Sequence, residues 1–179
     1  MGIVDRLKQE FDLSIEWLGF EIHPETPPRG MPLAQLFPRA DVEVMTKRLN
    51  SMGEPFGLAF RNIVNISNSR QSLEAAEFAK EQGRFDAFHR AVFDAYFSQG
   101  KDIGDIEVLT QLGMQAGLDP EALRNALRTG RCRRVLEEVR EEAARLGVTA
   151  APTFLFNGKE RVIGAQPIEV FRERLKSLR

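Results

Sequence analysis

Few residues in this chain have the type and setting for chemistry. Cys132 is the sole cysteine, and His23 and His89 are the only histidines. A lone thiol excludes an intrachain disulfide and any cysteine-rich metal site, and with only two imidazoles beside it no four-ligand zinc set can be assembled from soft ligands. No catalytic residue, metal ligand or cofactor motif is therefore assigned. Cys132 lies among Arg131, Arg133 and Arg134, a setting that lowers a thiol pKa and favours the nucleophilic thiolate. Yet it also falls on the apolar stripe of Val135, Leu136 and Val139, where a free cysteine serves as a small hydrophobe, and packing is the stronger reading. His23 precedes Pro24 in a loop, where a lone histidine is more often a solvent-exposed or capping group than a general base. His89 sits beside Phe88 at helical spacing from Phe85 and Val92 and reads as structural. Asn68 suits a helix N-cap. Arg70, two residues further on, could reach a carboxylate in a cleft.

The elements that must position these groups follow from periodicity. Ile3, Val4, Leu7 and Phe11 share a helical face, with no capping residue ahead of Met1, so the helix reads as one entered midway. Leu13 to Ile22 has Ile15 and Trp17 on one parity and Leu18, Phe20 and Ile22 on the other, the pattern of a central strand covered on both faces. His23 to Pro32 then carries four prolines and a glycine; no regular ladder continues through it. From Asp41 to Leu146 only helical periods appear. Asn68 or Ser69 starts one helix and Gly83 closes it. Asp105 starts another, and Asp119 with Pro120 forms an N-cap and N1 pair. Gly130 and Gly147 mark ends. Helix-spaced Phe85, Phe88, Phe93, Tyr96 and Phe97 could line a cleft, but such stripes usually form core. After Gly147 the period changes: TFLF, Asn157-Gly158 and KERVIG make a hairpin signal, and Pro167 opens a last helix.

Composition narrows the function classes. In 179 residues, 25 basic side chains face 26 acidic ones, a formal net charge of -1. Such a balance gives no field to attract nucleic acid or an anionic membrane. The opening residues lack a long apolar run, so neither a secretory signal nor a membrane span is expected, and a cytoplasmic location is.

Three stretches, WLGFEIHPETPPRG, AYFSQGKDIGDIEVLTQLG and GVTAAPTFLFNGKERVIGAQP, resemble the DsbA oxidoreductase family, FrnE-like cytosolic members most closely. The resemblance runs from about Gly2 to about Leu178. It implies an α/β, thioredoxin-like fold with a large all-helical insertion: residues 1–37 and 147–179 as an incomplete thioredoxin-like domain, 38–146 as the insertion. It also implies a cis bond before Pro152, with Ala151, Pro152 and Thr153 contacting the backbone of a protein or peptide thiol or disulfide, and a cleft that His23, Asn68 and Arg70 could border. Family members carry Cys-x-x-Cys at the start of the first helix. This sequence has no such dithiol, so the resemblance implies a first strand and redox pair missing from the chain, and no exchange activity in the residues present. The other readings are a non-catalytic peptide-binding module, or a relative of glutathione-dependent isomerases and kappa-class transferases. Homodimerisation stays open.

Overall fold

The structure, a computed structural model, describes residues 2–35, 39–61 and 63–178. Its α-helices are α1 (Gly2–Glu10), α2 (Arg39–Gly53), α3 (Arg70–Glu81), α4 (Phe85–Phe93), α5 (Ile106–Gln115), α6 (Pro120–Thr129), α7 (Arg133–Arg145) and α8 (Ile168–Ser177). The strands are β1 (Met31–Pro32), β2 (Asn65–Ile66), β3 (Thr153–Phe156) and β4 (Glu160–Ile163). The expected boundary between residues 37 and 38, and the helix start at Met1, lie outside the described residues.

Local chemistry explains three of the helix starts. The Asp105 carboxylate accepts from Glu107 N at 2.7 Å and that of Asp119 from Ala122 N at 2.7 Å, each satisfying an amide that the first turn leaves unpaired. The start of α3 is capped from one residue further back. Ser69 makes no side-chain cap, while Asn68 Oδ1 accepts from Arg70 N at 3.0 Å.

The largest apolar core belongs to the helices. Phe78, Phe88, Leu109, Leu112, Leu123 and Leu127, with Cys132, form one buried cluster from α3 to the start of α7. A second layer joins α1, β3, β4 and α8 through Leu7, Val162 and Phe171, flanked by half-buried Phe11, Leu13, Phe154 and Phe156. Arg172 of α8 closes this layer on α1, its guanidinium donating to both carboxylate oxygens of Glu10 at 2.6 and 2.7 Å.

The hairpin forms where Asn157-Gly158 predicts it. Both residues have positive φ, 49° and 68°, and Lys159 N donates to Phe156 O at 3.0 Å. The ladder pairs Phe156 with Glu160 and Thr153 with Ile163, resuming one residue later than a two-residue loop gives.

Two expectations are corrected. Leu13 to Ile22 is extended but enters no sheet among the described residues. Nor is it covered on both faces: the odd-numbered side chains from Leu13 to Trp17 are half-buried, whereas Leu18 and Ile22 are 50% and 49% exposed. Its apolar run on both parities suggested two-sided burial, but only the helical body and Leu13's own layer cover it. Residues 41–146 are not purely helical either. β2 pairs antiparallel with β1, Met31 opposite Ile66, so the proline-rich loop does hold a short ladder. At Pro32 that ladder has already reached its second and last pair, where a missing amide costs least.

Candidate functional site

Ala151, Pro152 and Thr153 lie between the end of α7 and the start of β3. Gly147, with φ of 63°, ends α7, and Val148 N donates back to Ala143 O at 2.8 Å. Arg161 of β4 reaches across to the freed carbonyls, its Nη1 donating to Leu146 O at 2.9 Å. The helix end and the hairpin are thereby fixed to each other. The turn itself is tied on both sides. Thr153 Oγ1 donates to Ala150 O at 2.6 Å, and Gly164 N donates to Pro152 O at 2.7 Å. The Ala151–Pro152 peptide bond is cis.

Between these ties the backbone of Ala151 has no partner among the described residues, and Ala151 and Pro152 are exposed. An exposed N–H and C=O held in place by neighbouring bonds can accept an extended peptide at little ordering cost.

No hydrogen bond or ion pair among the described residues links His23, Asn68 or Arg70 to this turn. His23 Nδ1 meets Glu25 Oε1 at 2.9 Å, both side chains exposed, which is a local loop contact. Asn68 Nδ2 donates to Thr26 O at 2.6 Å while its oxygen caps α3, so one side chain fastens the proline-rich loop to the helical body. Arg70 is already occupied. Its Nε and Nη2 donate to the two oxygens of Glu21 at 3.2 and 3.1 Å, and that carboxylate holds the guanidinium pKa above its usual value. A substrate carboxylate would have to displace Glu21.

Cys132 sits just before α7, not inside it, and is 2% exposed within the helical core. Burial, reinforced by the Glu81 carboxylate 3.9 Å from its sulfur, pushes the thiol up to about 11. The neighbouring arginines do not reverse this; Arg131 instead pairs with Glu81 at 2.8 Å. Among the described residues no group of three or more His, Cys, Asp or Glu is arranged to hold a metal, and no helix is long and apolar enough to cross a membrane.

Residue patterns alone did not reveal two features. The first is the unpaired backbone of Ala151, since a main-chain group carries no residue signature. The second is an aromatic ladder: Phe85, His89, Phe93 and Phe97 follow one another at centroid spacings of 5.0, 4.5 and 5.5 Å, the middle pair stacked and the outer two tilted. The four-residue interval is the available signal, and a π-helical turn over Asp94–Ser98 keeps the last step in line. Phe88 is fully buried core, whereas Phe93 is 46% exposed, so the aromatic stripe is divided between packing and surface.

Comparison with known proteins agrees with this architecture. The sequence is 29% identical over 172 residues to the uncharacterized protein YwbO of Bacillus subtilis (strain 168), covering 92% of this chain and 82% of that protein. The structure superposes with a TM-score of 0.81 on SCO1869 of Streptomyces coelicolor, a probable DsbA oxidoreductase, at 27% identity over 88% of this chain and 72% of that one. A structure from Nitrosomonas europaea shares the fold at a TM-score of 0.68 and 16% identity, covering 98% of this chain and 87% of that one. The sequence model of the DSBA-like thioredoxin domain matches residues 3–176. The helical body, the hairpin and the turn before β3 thus belong to one continuous match, and the chain is a member of the DSBA-like thioredoxin domain family.

Proposed function

We infer that this chain is the substrate-docking body of a DsbA-type thiol-disulfide oxidoreductase, of the FrnE-like cytosolic kind. Its partners are protein or peptide thiols and disulfides, which it meets in extended conformation at Ala151, Pro152 and Thr153. The observation that carries the reading is the exposed, unpartnered backbone of Ala151 in a turn held by Thr153 and Gly164. The division into a thioredoxin-like part, residues 1–37 and 147–179, and a helical insertion, residues 38–146, belongs to the same reading; the separate apolar layers support it.

Exchange itself needs a thiolate that attacks one sulfur of a disulfide and displaces the other through a mixed disulfide. Cys132, buried and protonated at neutral pH, is no such group. The 179 residues therefore dock the peptide without supplying the nucleophile. Backbone resonances followed during titration with an extended, cysteine-containing peptide test this. The largest shifts are expected at Ala151 and Thr153 and none at Cys132. Shifts centred instead on Phe93 and the exposed aromatic face would overturn the assignment.

A further inference from the structure

A small cavity opens beside the β1–β2 ladder, lined by the end of the proline-rich loop, by β2 and by the residues that follow the π-helical turn. Its volume is about 90 Å³. One water needs about 10–15 Å³ of such space, so a group of several heavy atoms fits. The walls are fixed by the main chain. Gly30 has a φ of 72°, and a Cβ there would stand 2.5 Å from Ile66 O, so glycine lets the loop close on β2 with Arg29 at the cavity. The Tyr96 hydroxyl donates to Asn65 O at 3.3 Å, and the Ser67 main chain hydrogen-bonds the same phenol. Gly100, with φ of 70°, turns the chain out of the helix, and Lys101 N donates back to Ala95 O at 2.8 Å, which holds Lys101 at the cavity.

Several polar groups of this cavity are not used by the fold. Arg29 and Lys101 both line it, and neither side chain has a hydrogen bond or an ion pair among the described residues. Ser67 lines it too. It is only 9% exposed, yet its hydroxyl has no partner among the described residues, whereas a buried hydroxyl is ordinarily hydrogen-bonded. Asp102 is the one acidic residue of the lining, and its Oδ1 already accepts from Gly104 N at 2.9 Å.

We propose that this cavity binds a carboxylate group carried on a short aliphatic stem. Arg29 and Lys101 against Asp102 leave one positive charge in the lining, which matches a monoanion better than a phosphate dianion. The guanidinium of Arg29 offers a planar fork that suits the two oxygens of a carboxylate, Lys101 adds a point charge, and Ser67 adds a neutral donor. Half-buried Ile63 and Ile66 supply apolar contact for the carbons next to the carboxylate. A small free acid and the C-terminus of a peptide present the same group. The inference rests neither on thiol chemistry nor on docking at Ala151.

The whole chain at pH 7 is titrated with N-acetylalanine, with its neutral amide and with inorganic phosphate, and backbone resonances are followed. N-acetylalanine should shift Gly30, Ser67, Gly100 and Lys101 saturably, its amide should not, and phosphate should bind more weakly. Arg29→Gln and Lys101→Gln lie at exposed positions and should each weaken binding by about ten-fold, with resonances elsewhere unchanged. A tripeptide with a free C-terminal alanine that binds more tightly than N-acetylalanine identifies a peptide terminus as the source. Equal or weaker binding identifies a free acid, and either result keeps the site. Equal shifts from acid and amide, tighter binding of phosphate, or undiminished affinity in both glutamine variants would overturn the proposal. Shifts confined to Ala151 and Thr153 would also overturn it, while leaving the docking turn intact.

Discussion

The Trp17 ring lies 5.0 Å from that of His89, tilted by 44°, and this contact binds the extended segment to α4. Phe85 and Phe93 pack against the same imidazole, whose Nε2 is buried without a hydrogen-bond partner. Burial, the largest cause, lowers the His89 pKa from 6.5 to about 4. The unfolded chain therefore takes up a proton that the folded chain refuses between those values, so stability is full above pH 6.5 and falls as the pH drops towards 4. With allowance for the exposed part of the ring, the loss is about 1–2 kcal/mol. Thermal unfolding between pH 7 and pH 4 should show it, and His89→Phe should flatten this part of the profile. Equal slopes in the two proteins would exclude His89 as the cause.

Cys132 should resist modification in the folded state. An aromatic disulfide reagent at neutral pH should label it only at the rate of global or local opening, and rapidly in denaturant, because the thiol is buried and protonated. Cys132→Ser places a hydroxyl in the helical core beside Glu81 and should cost roughly 1–3 kcal/mol. Fast stoichiometric labelling of the native chain would contradict the burial.

Glu74 is 3% exposed on α3, with Arg133 Nε 3.7 Å from its carboxylate. Burial raises its pKa despite Arg133 and Arg70. A carboxyl with a raised folded pKa adds stability below its unfolded value and loses it as the pH rises. Glu74→Gln should therefore melt higher than the parent at pH 7, with the advantage shrinking as the pH falls through the carboxyl range. A lower melting temperature at pH 7 would mean that the contact with Arg133 outweighs desolvation.

Much of the helical body is legible from residue types. Asp105, Asp119-Pro120 and Gly130 mark helix ends because a cap is a local event between residues a few positions apart. The Asn157-Gly158 turn is legible for the same reason. Leu13–Ile22 is not, because alternation can indicate an extended chain but cannot show whether a neighbouring strand is present. Cys132 could be placed in the core from its four-residue spacing to Leu136, although Val135, read on the same stripe, is exposed and Cys132 precedes the helix. His23 and Arg70 illustrate the opposite limit: their identities permit chemistry, but Glu25 and Glu21 occupy them, and those partners are visible only once the chain is folded.

The two apolar layers should respond separately to truncation. Phe171 and Phe88 are both fully buried, and each change to alanine should cost about 3–5 kcal/mol. Phe171→Ala should raise amide exchange in α1, β3, β4 and α8 while sparing α4 to α6; Phe88→Ala should do the reverse. A uniform increase from either variant would show one cooperative unit.

Turnover of a disulfide substrate is the most direct test of a docking body without its own exchange nucleophile. Insulin reduction with a dithiol donor should run at the uncatalysed rate for this chain and be unchanged in Cys132→Ala. Turnover clearly above that rate, abolished by Cys132→Ala, would contradict the account.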